Sequence, residues 1–216
     1  AKAMQETGIM PDYIVVDGAE GGTGAAPVEF MDHVGVPMNE ALMLVHNSLV
    51  GLNIRQHIHI GAAGKITSAF DIARTISMGA DWCNAGRAFM FSLGCIQALS
   101  CHTDKCPTGI ATQDRARSSN LDPTQKTARV FNYHRNTMRA LGELLSAAGL
   151  SHTDQLGPEH ILRRVSPTQI RSLGSLYRFL EPGELLDGQP EHSVFRDYWP
   201  LARTDSFDPP ERIQAL

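Results

Sequence analysis

The chain has 216 residues, 42% of them hydrophobic, and its 19 Lys and Arg against 23 Asp and Glu give a formal net charge of −4. The basic residues are scattered, which argues against nucleic-acid binding, and no apolar run reaches the roughly 18 residues of a membrane span. All four cysteines lie between residues 83 and 106, unlike a secreted disulfide framework, so a cytoplasmic location is expected.

The first 100 residues alternate between short apolar runs and helical patterns. The predicted strands are 12–17, 58–60 and 81–85; the predicted helices are the end of a helix at 1–8, then 39–52, a helix from Thr67 or Ser68 to Gly79, and 88–93. The run 12–17 is nearly continuous in apolar residues, which predicts a strand buried on both faces. Strand and helix in alternation predict a parallel α/β sheet.

The second half of the chain has a different pattern. Residues 122–148 predict one long helix or two in series, and 158–164, 167–173 and 176–180 predict short helices. The polar segment 182–210 is predicted to run over the surface. We therefore divide the chain into residues 1–121, which include a cysteine loop at 95–113, a helical extension at 122–181 and a surface tail at 182–216.

The cysteine loop carries the most specific chemical signal. Cys95, Cys101 and Cys106 form a C-x5-C-x4-C pattern followed by Pro107. Soft thiolates this close together in a loop are typical ligands of an iron–sulfur cluster, and three of them suit a [3Fe-4S] cluster. Zinc bound with the help of His102 is an alternative, although zinc ligand pairs are usually two to four residues apart. Three reduced, buried cysteines are the other alternative.

Two consecutive predicted strands end in glycine and lead into a helix. Such strand ends direct backbone N–H groups and helix N-termini toward one point, as in the phosphate site of many (β/α)8 barrels. Tight turns without a ligand would also account for the glycines, and a lysine here could equally be solvated. The candidate phosphate-binding residues are Gly61, Gly64, Lys65, Ala85, Gly86 and Arg87.

A glycine-rich turn, the fourth cysteine and two histidines carry weaker signals. The glycine turn that contains Gly21, Gly22, Thr23 and Gly24 lacks the dinucleotide fingerprint, and it predicts either close approach to a flat ligand or a flexible lid. Cys83 is more typical of a small core residue than of a fourth cluster ligand. His57 and His59 flank a strand and are predicted to be structural.

These motifs together resemble the FMN-binding synthase domain of glutamate synthase. In that family the glycine turn reads D-G-G-T-G-A-S-P and the cysteine loop ends C-P-V-G-V-A-T-Q; here the segments run from Glu20 to Pro27 and from Cys106 to Gln113. The cysteine spacing is identical, and the resemblance covers about residues 12–148. Glu20 stands where the family has aspartate, and Arg87 where it has a small residue.

The resemblance implies a (β/α)8 TIM barrel that holds FMN beside a [3Fe-4S] cluster. Cys95, Cys101 and Cys106 match the cluster ligands of the family. Gly64, Gly86 and Arg87 match the residues that bind the FMN phosphate. Gly21 to Gly24 match the loop beside the flavin and 2-oxoglutarate. In this family electrons pass from ferredoxin or an NAD(P)H-linked reductase through iron–sulfur centres to FMN, which reduces 2-iminoglutarate to glutamate.

Three strand–helix units are fewer than a closed barrel needs. We therefore expect the C-terminal part of the barrel, about strands 6–8, which requires an N-terminal barrel half as its partner. The expected function is that of a glutamate-synthase-like oxidoreductase. The alternatives are a non-catalytic iron–sulfur or zinc-binding subunit of a larger complex and an FMN-free phosphosugar barrel.

Overall fold

Three parallel strands and the helices that connect them position the candidate site. The computed structural model describes residues 1–22, 24, 26–188 and 190–208. Its strands are β1 (Tyr13–Asp17), β2 (His59–Ala63), β3 (Trp82–Asn84), β4 (Leu162–Ser166) and β5 (Gln169–Ser172). Its helices are α1 (Lys2–Thr7), α2 (Met38–Gly51), α3 (Ala69–Ser77), α4 (Gly86–Leu93), α5 (Arg115–Ser118), α6 (Pro123–Ala147), α7 (Leu173–Leu176) and α8 (Ser193–Tyr198).

The sheet formed by β1, β2 and β3 is parallel throughout, with β2 in the middle. Asp17 lies opposite Ala63, and Ala63 lies opposite Asn84, so the carboxyl ends of the three strands are level with one another. The predicted mixed α/β class and parallel sheet are confirmed. Each predicted strand agrees with an observed strand to within a few residues.

Helices α2 and α3 pack on one face of this sheet and form the main core with it. Leu42, Ile60 and Met78 are fully buried there. The alternate side chains of β1 face the other way, and Tyr13 and Val15 are 61% and 43% exposed. The prediction that β1 is buried on both faces is therefore wrong, because the helices in the described part of the chain cover one face only.

Local capping explains where the helices begin. Ser68 and Asp71 form a reciprocal capping box at the start of α3, in which the Ser68 hydroxyl accepts from the Asp71 N–H, 3.1 Å away. Asp122 caps α6 by accepting from the Thr124 N–H, and Pro123 occupies the first helical position. Both starts lie within two residues of the predicted ones.

Helix α6 packs across α3 and α4 and ties them together. The Tyr133 hydroxyl donates to the Thr67 carbonyl, 3.0 Å away, and the Tyr133 ring meets Phe89 edge-on at 5.4 Å. The long predicted helix 122–148 is thus confirmed as a single element. It supports the start of α3 and the body of α4, the two helices that follow β2 and β3.

The predicted short helices at 158–164, 167–173 and 176–180 are wrong over most of their length. Strands β4 and β5 form an antiparallel hairpin instead, and the helical parts are a 3-10 turn at Pro158–His160 and the helix Leu173–Leu176. Pro167 lies at the turn of the hairpin, where its fixed φ is favourable, and Val165 and Ile170 are β-branched residues that suit strands. In segments this short, helical and strand spacing of apolar residues are hard to distinguish.

The polar segment after residue 182 was predicted to run over the surface, and this is wrong for its apolar side chains. Leu185 and Phe195 are buried with Leu52 and Leu180 in a second, smaller core. The buried Asn47 side chain joins this region to α2, because its amide donates to the Arg178 carbonyl and accepts from the Leu180 N–H, both at 3.0 Å. Within the described residues, no helix has both the length and the apolar character needed to cross a bilayer.

Candidate functional site

A cavity of about 740 Å³ lies at the carboxyl ends of the three parallel strands. The last residue of β1, Asp17, and the last residue of β3, Asn84, line it together with Ala63 between them. Ligand sites of open α/β sheets form outside the carboxyl ends of the strands, so this position is the one that the fold favours for binding.

The glycines that follow β2 and β3 border this cavity. Gly64 has φ +157°, and a Cβ there would lie 2.7 Å from the Met38 Cβ and 2.8 Å from the Glu20 Oε2. A side chain at Gly64 would therefore displace one of these neighbours. Gly86, the first residue of α4, has no atom within 4 Å of where its Cβ would be. The strand-end backbone at Gly86 is thus open toward the cavity.

Two of the predicted phosphate-binding residues do not line the cavity. Gly61 lies in the middle of β2, where its missing side chain makes room for the Trp82 ring, so its role here is packing. Ala85 precedes α4 as its N-cap residue, between two cavity-lining residues. The predicted residues Gly64, Lys65, Gly86 and Arg87 are brought together.

The two cations of the cavity are held by groups from the segment after β1. The Lys65 ammonium lies 3.0 Å from the Asp32 carboxylate and 4.0 Å from that of Glu20. The Arg87 guanidinium donates to the Glu20 carbonyl at 2.8 Å, and the Glu20 carboxylate accepts from the Met38 N–H at the start of α2. Glu20 therefore links the ends of β1, β2 and β3 to the first turn of α2.

The glycine turn lies between the cationic end of the cavity and the cysteine loop. A Cβ on Gly22 would lie 3.8 Å from the Arg87 Nη2, and one on Gly24 would lie 3.8 Å from the Cys101 Cβ. Gly21, Gly22 and Gly24 all line the cavity. Thr23, also predicted as a site residue, lies outside the described residues. The turn thus brings the two predicted sites into one cavity.

The cysteines of the predicted cluster motif are thiols rather than disulfides, and two of them, Cys95 and Cys101, line the same cavity. Cys106 lies deeper and is 7% exposed. Burial by itself would raise the pKa of the Cys106 thiol. Hydrogen bonds from the Thr108 hydroxyl and from the N–H groups of Ala111, Thr108 and Ile110 outweigh it, so this pKa is lowered to about 7. A sulfur in these surroundings is disposed to act as a thiolate ligand.

The described residues include no group of three or more His, Cys, Asp or Glu side chains that could hold one metal ion.

Cys83, His57 and His59 do not line the cavity. Burial raises the pKa of the Cys83 thiol to about 12 despite a hydrogen bond with Thr75, and Cys83 packs against the main core. His59 starts β2 at the opposite end of the sheet, 3.7 Å from the Asp81 carboxylate. His57 lies in the turn just before it. These positions agree with structural roles.

Sequence reasoning missed the acidic residues that hold the cavity together. Asp32 has φ +66° and contacts Lys65 across 33 positions of sequence, and nothing in the local pattern signals that contact. Asp17 could have been found, because a polar residue at the carboxyl end of a buried parallel strand is a recognised site position.

The family model described as "Conserved region in glutamate synthase" matches residues 2–151 of the chain. The glutamate synthase large subunit-like protein YerD of Bacillus subtilis is 39% identical over 173 residues, which are 80% of this chain and 33% of that protein. The archaeal-type glutamate synthase (NADPH) of Thermotoga maritima is 39% identical over 155 residues, 71% of this chain and 31% of its own length.

The archaeal glutamate synthase (NADPH) of Methanocaldococcus jannaschii is 40% identical over 145 residues, covering 67% of this chain and 28% of that protein. The chain thus spans about a third of the length of these curated relatives. The matched region contains the three parallel strands, the cavity at their carboxyl ends and the cysteine loop. The chain therefore belongs to the glutamate synthase family.

Proposed function

We propose that this chain carries the phosphate end of an FMN site and the cysteine ligands of a [3Fe-4S] cluster in a glutamate-synthase-like oxidoreductase. The overall reaction is reduction of 2-iminoglutarate, formed from 2-oxoglutarate and ammonia, to glutamate. The observation that carries the proposal is that one cavity is bordered by the glycines after β2 and β3 and by Cys95 and Cys101. When bound, FMN supplies hydride chemistry and the cluster supplies one-electron transfer.

The residues at the strand ends suit a phosphate dianion. Gly64 borders the cavity, and its missing side chain makes room for Met38 and Glu20. The backbone at Gly86 allows close approach, and Gly86 starts an eight-residue helix whose N-terminal N–H groups favour an anion. Lys65 and Arg87 add two positive charges beside them. The Arg87 guanidinium can offer a fork of donors to phosphate oxygens while the Glu20 carbonyl holds its orientation.

The cysteine loop supplies the second half of the proposed site. Cys95 and Cys101 face the cavity, and the donors around Cys106 stabilise negative charge on its sulfur. Because Gly24 adjoins Cys101 and Gly22 adjoins Arg87, cluster and phosphate would lie on either side of one glycine turn. That proximity suits electron transfer between a cluster and a flavin.

The exposed face of the three-stranded sheet agrees with a larger barrel. Tyr13 and Val15 project from it together with Trp82, and Tyr13 meets Trp82 edge-on at 5.9 Å. In the proposed (β/α)8 barrel this face is the interior, covered by strands from the longer protein. Ferredoxin or an NAD(P)H-linked reductase subunit is the proposed electron donor.

The reaction is tested by following the flavin in the anaerobic, reduced protein. Addition of 2-oxoglutarate together with ammonia is expected to reoxidise the flavin and yield glutamate, while either compound alone leaves it reduced. Reoxidation by a different 2-oxo acid with ammonia would support the reaction class but contradict 2-oxoglutarate as the substrate. No reoxidation by any 2-oxo acid would reject the reaction.

A further inference from the structure

We propose that Asp104 is a positioning residue for Cys106, because it fastens the two ends of the loop that surrounds the Cys106 sulfur. The inference rests on the proposed function, in which Cys106 ligates the cluster. It adds a role for a residue that is neither a ligand nor part of the cavity wall. The role is to keep backbone N–H groups directed at one ligand sulfur.

Asp104 closes the loop through two short hydrogen bonds. Its carboxylate Oδ1 accepts from the Gln113 N–H at 2.6 Å, and its carbonyl accepts from the Thr112 hydroxyl at 2.6 Å. These partners are nine and eight residues away, so the bonds join the start of the loop to its end. Asp104 itself is exposed, and its contribution therefore comes from these bonds rather than from packing.

The donors to the Cys106 sulfur all lie between the two ends that Asp104 joins. They are the N–H groups of Thr108, Ile110 and Ala111, together with the Thr108 hydroxyl at 3.4 Å. If the segment from Asp104 to Gln113 were free at one end, these N–H groups would point toward the Cys106 sulfur less uniformly. Closure at Asp104 restricts them to the orientation in which they meet the sulfur.

A contact with α5 fixes the middle of the loop, so the hydrogen bonds of Asp104 act only on its two ends. Gly109 has φ +77° and lies so close to the Arg117 carbonyl that any side chain there would collide with it. The loop is thus seated on α5 at Gly109 and closed at Asp104. Without the Asp104 hydrogen bonds, the N–H groups around the Cys106 sulfur would be less fixed in orientation, while the contact between Gly109 and α5 would remain.

Hydrogen bonds to ligand sulfurs stabilise the more negative, reduced state of a cluster and raise its reduction potential. The closure at Asp104 therefore keeps the potential of the cluster higher than an open loop would. The effect should appear in the potential even where the iron content is unchanged. A residue with a general structural role would alter folding or iron content instead.

The test compares variants of the holoprotein. Asp104 has φ +61°, a conformation that Asp, Asn and Gly tolerate. Asp104→Gly keeps this conformation and removes the carboxylate, whereas Asp104→Asn keeps both the conformation and a carbonyl acceptor. From the other side of the closure, Thr112→Val removes the hydroxyl and Thr112→Ser retains it. The reduction potential of the cluster is measured by redox titration of its electron paramagnetic resonance signal.

We expect lower potentials in Asp104→Gly and Thr112→Val, and values near the parent protein in Asp104→Asn and Thr112→Ser. Loss of iron in Asp104→Gly would indicate a general structural role and would overturn the positioning role. An unchanged potential in both Asp104→Gly and Thr112→Val would overturn it and leave the cluster assignment intact. A parent protein without iron would overturn both this role and the proposed function.

Discussion

The Arg87 guanidinium donates to the backbone carbonyl of Glu20 across 2.8 Å, although the two residues are 67 positions apart in the chain. This bond joins the segment after β1 to the start of α4, and the Glu20 carboxylate in turn binds the Met38 N–H. A phosphate at the strand ends would therefore meet an arginine whose orientation is already set.

Gly86→Asp is expected to abolish tight FMN binding. The added carboxylate has open space on the cavity side, and Asp at the first position of a helix favours folding, so the change acts on the ligand. Repulsion of about 1.4 kcal/mol or more from a phosphate dianion corresponds to at least about tenfold weaker binding. Gly86→Asn is the matched neutral control, and FMN titration measures both. Equal affinities for the two variants would contradict a phosphate beside Gly86.

The ion pair between Lys65 and Asp32 allows a test of whether the positive charge of Lys65 contributes to FMN binding. Lys65→Gln removes a positive charge from the proposed phosphate site, and FMN binding should weaken several-fold. Asp32→Asn removes the partner of the ion pair and leaves that charge in place, so FMN binding should be kept or strengthened. Because both side chains are partly exposed, each change should cost less than about 1 kcal/mol of stability. Weaker FMN binding in Asp32→Asn than in Lys65→Gln would show that the ion pair, rather than the cation, supports the site.

Serine at Cys95, Cys101 or Cys106 is expected to remove most of the iron from the anaerobically purified protein, because a hydroxyl is a poor ligand for this cluster. Cys83→Ala is the control, since Cys83 lies in the core with a raised thiol pKa, and its iron content should match that of the parent. The iron and sulfide contents of each variant and of the parent protein are measured. Full iron content in all three serine variants would reject the ligand set.

Asn47→Ala should destabilise the fold by roughly 2–3 kcal/mol, because it leaves the Leu180 N–H and the Arg178 carbonyl without their buried partner. Ser48→Ala, the next residue along α2, removes only a hydroxyl bonded within the helix and should change stability by less than about 0.5 kcal/mol. Urea unfolding measures the difference. Similar losses in the two variants would show that the segment after Arg178 contributes little to stability.

The capping box of α3 predicts a pH dependence. Burial would raise the pKa of Asp71, but hydrogen bonds from Ser68 and Thr67 and the charge of Arg74 outweigh it, so the pKa lies below its ordinary value of 3.8. A lowered pKa contributes stability above the unfolded value and loses it as pH falls through the folded value. Asp71→Asn should therefore be less stable than the parent at neutral pH, with the gap narrowing below about pH 4. A constant gap across this range would show that the charge is unimportant.

The sequence was most informative where a residue type has a local meaning. Ser68 before a helical pattern, and the C-x5-C-x4-C spacing, could be interpreted without knowledge of the fold. The parallel sheet also followed from the order of apolar runs. The spacing of the cysteines suggested the chemistry of their loop, and the structure added that Cys95 and Cys101 border the same cavity as Gly86.

The errors occurred where distant parts of the chain decide the outcome. Leu185 and Phe195 lie in a segment rich in polar residues, and they are buried because Leu52 and Leu180 offer a second core. Gly61 resembled a phosphate-loop glycine, but the Trp82 ring on the neighbouring strand occupies the space beside it. Such contacts depend on strand register and on packing, which local composition does not encode.

The most direct test of the proposed function is the cofactor content of this chain purified without oxygen together with the N-terminal barrel half that would complete the proposed barrel. Flavin, iron and acid-labile sulfide are determined on the same sample, and the absorption spectrum is recorded before and after reduction. We expect one FMN and about three irons per chain, with flavin bands above a broad cluster absorbance. Zinc in place of iron, or a colourless protein that binds neither FMN nor iron, would contradict the proposal.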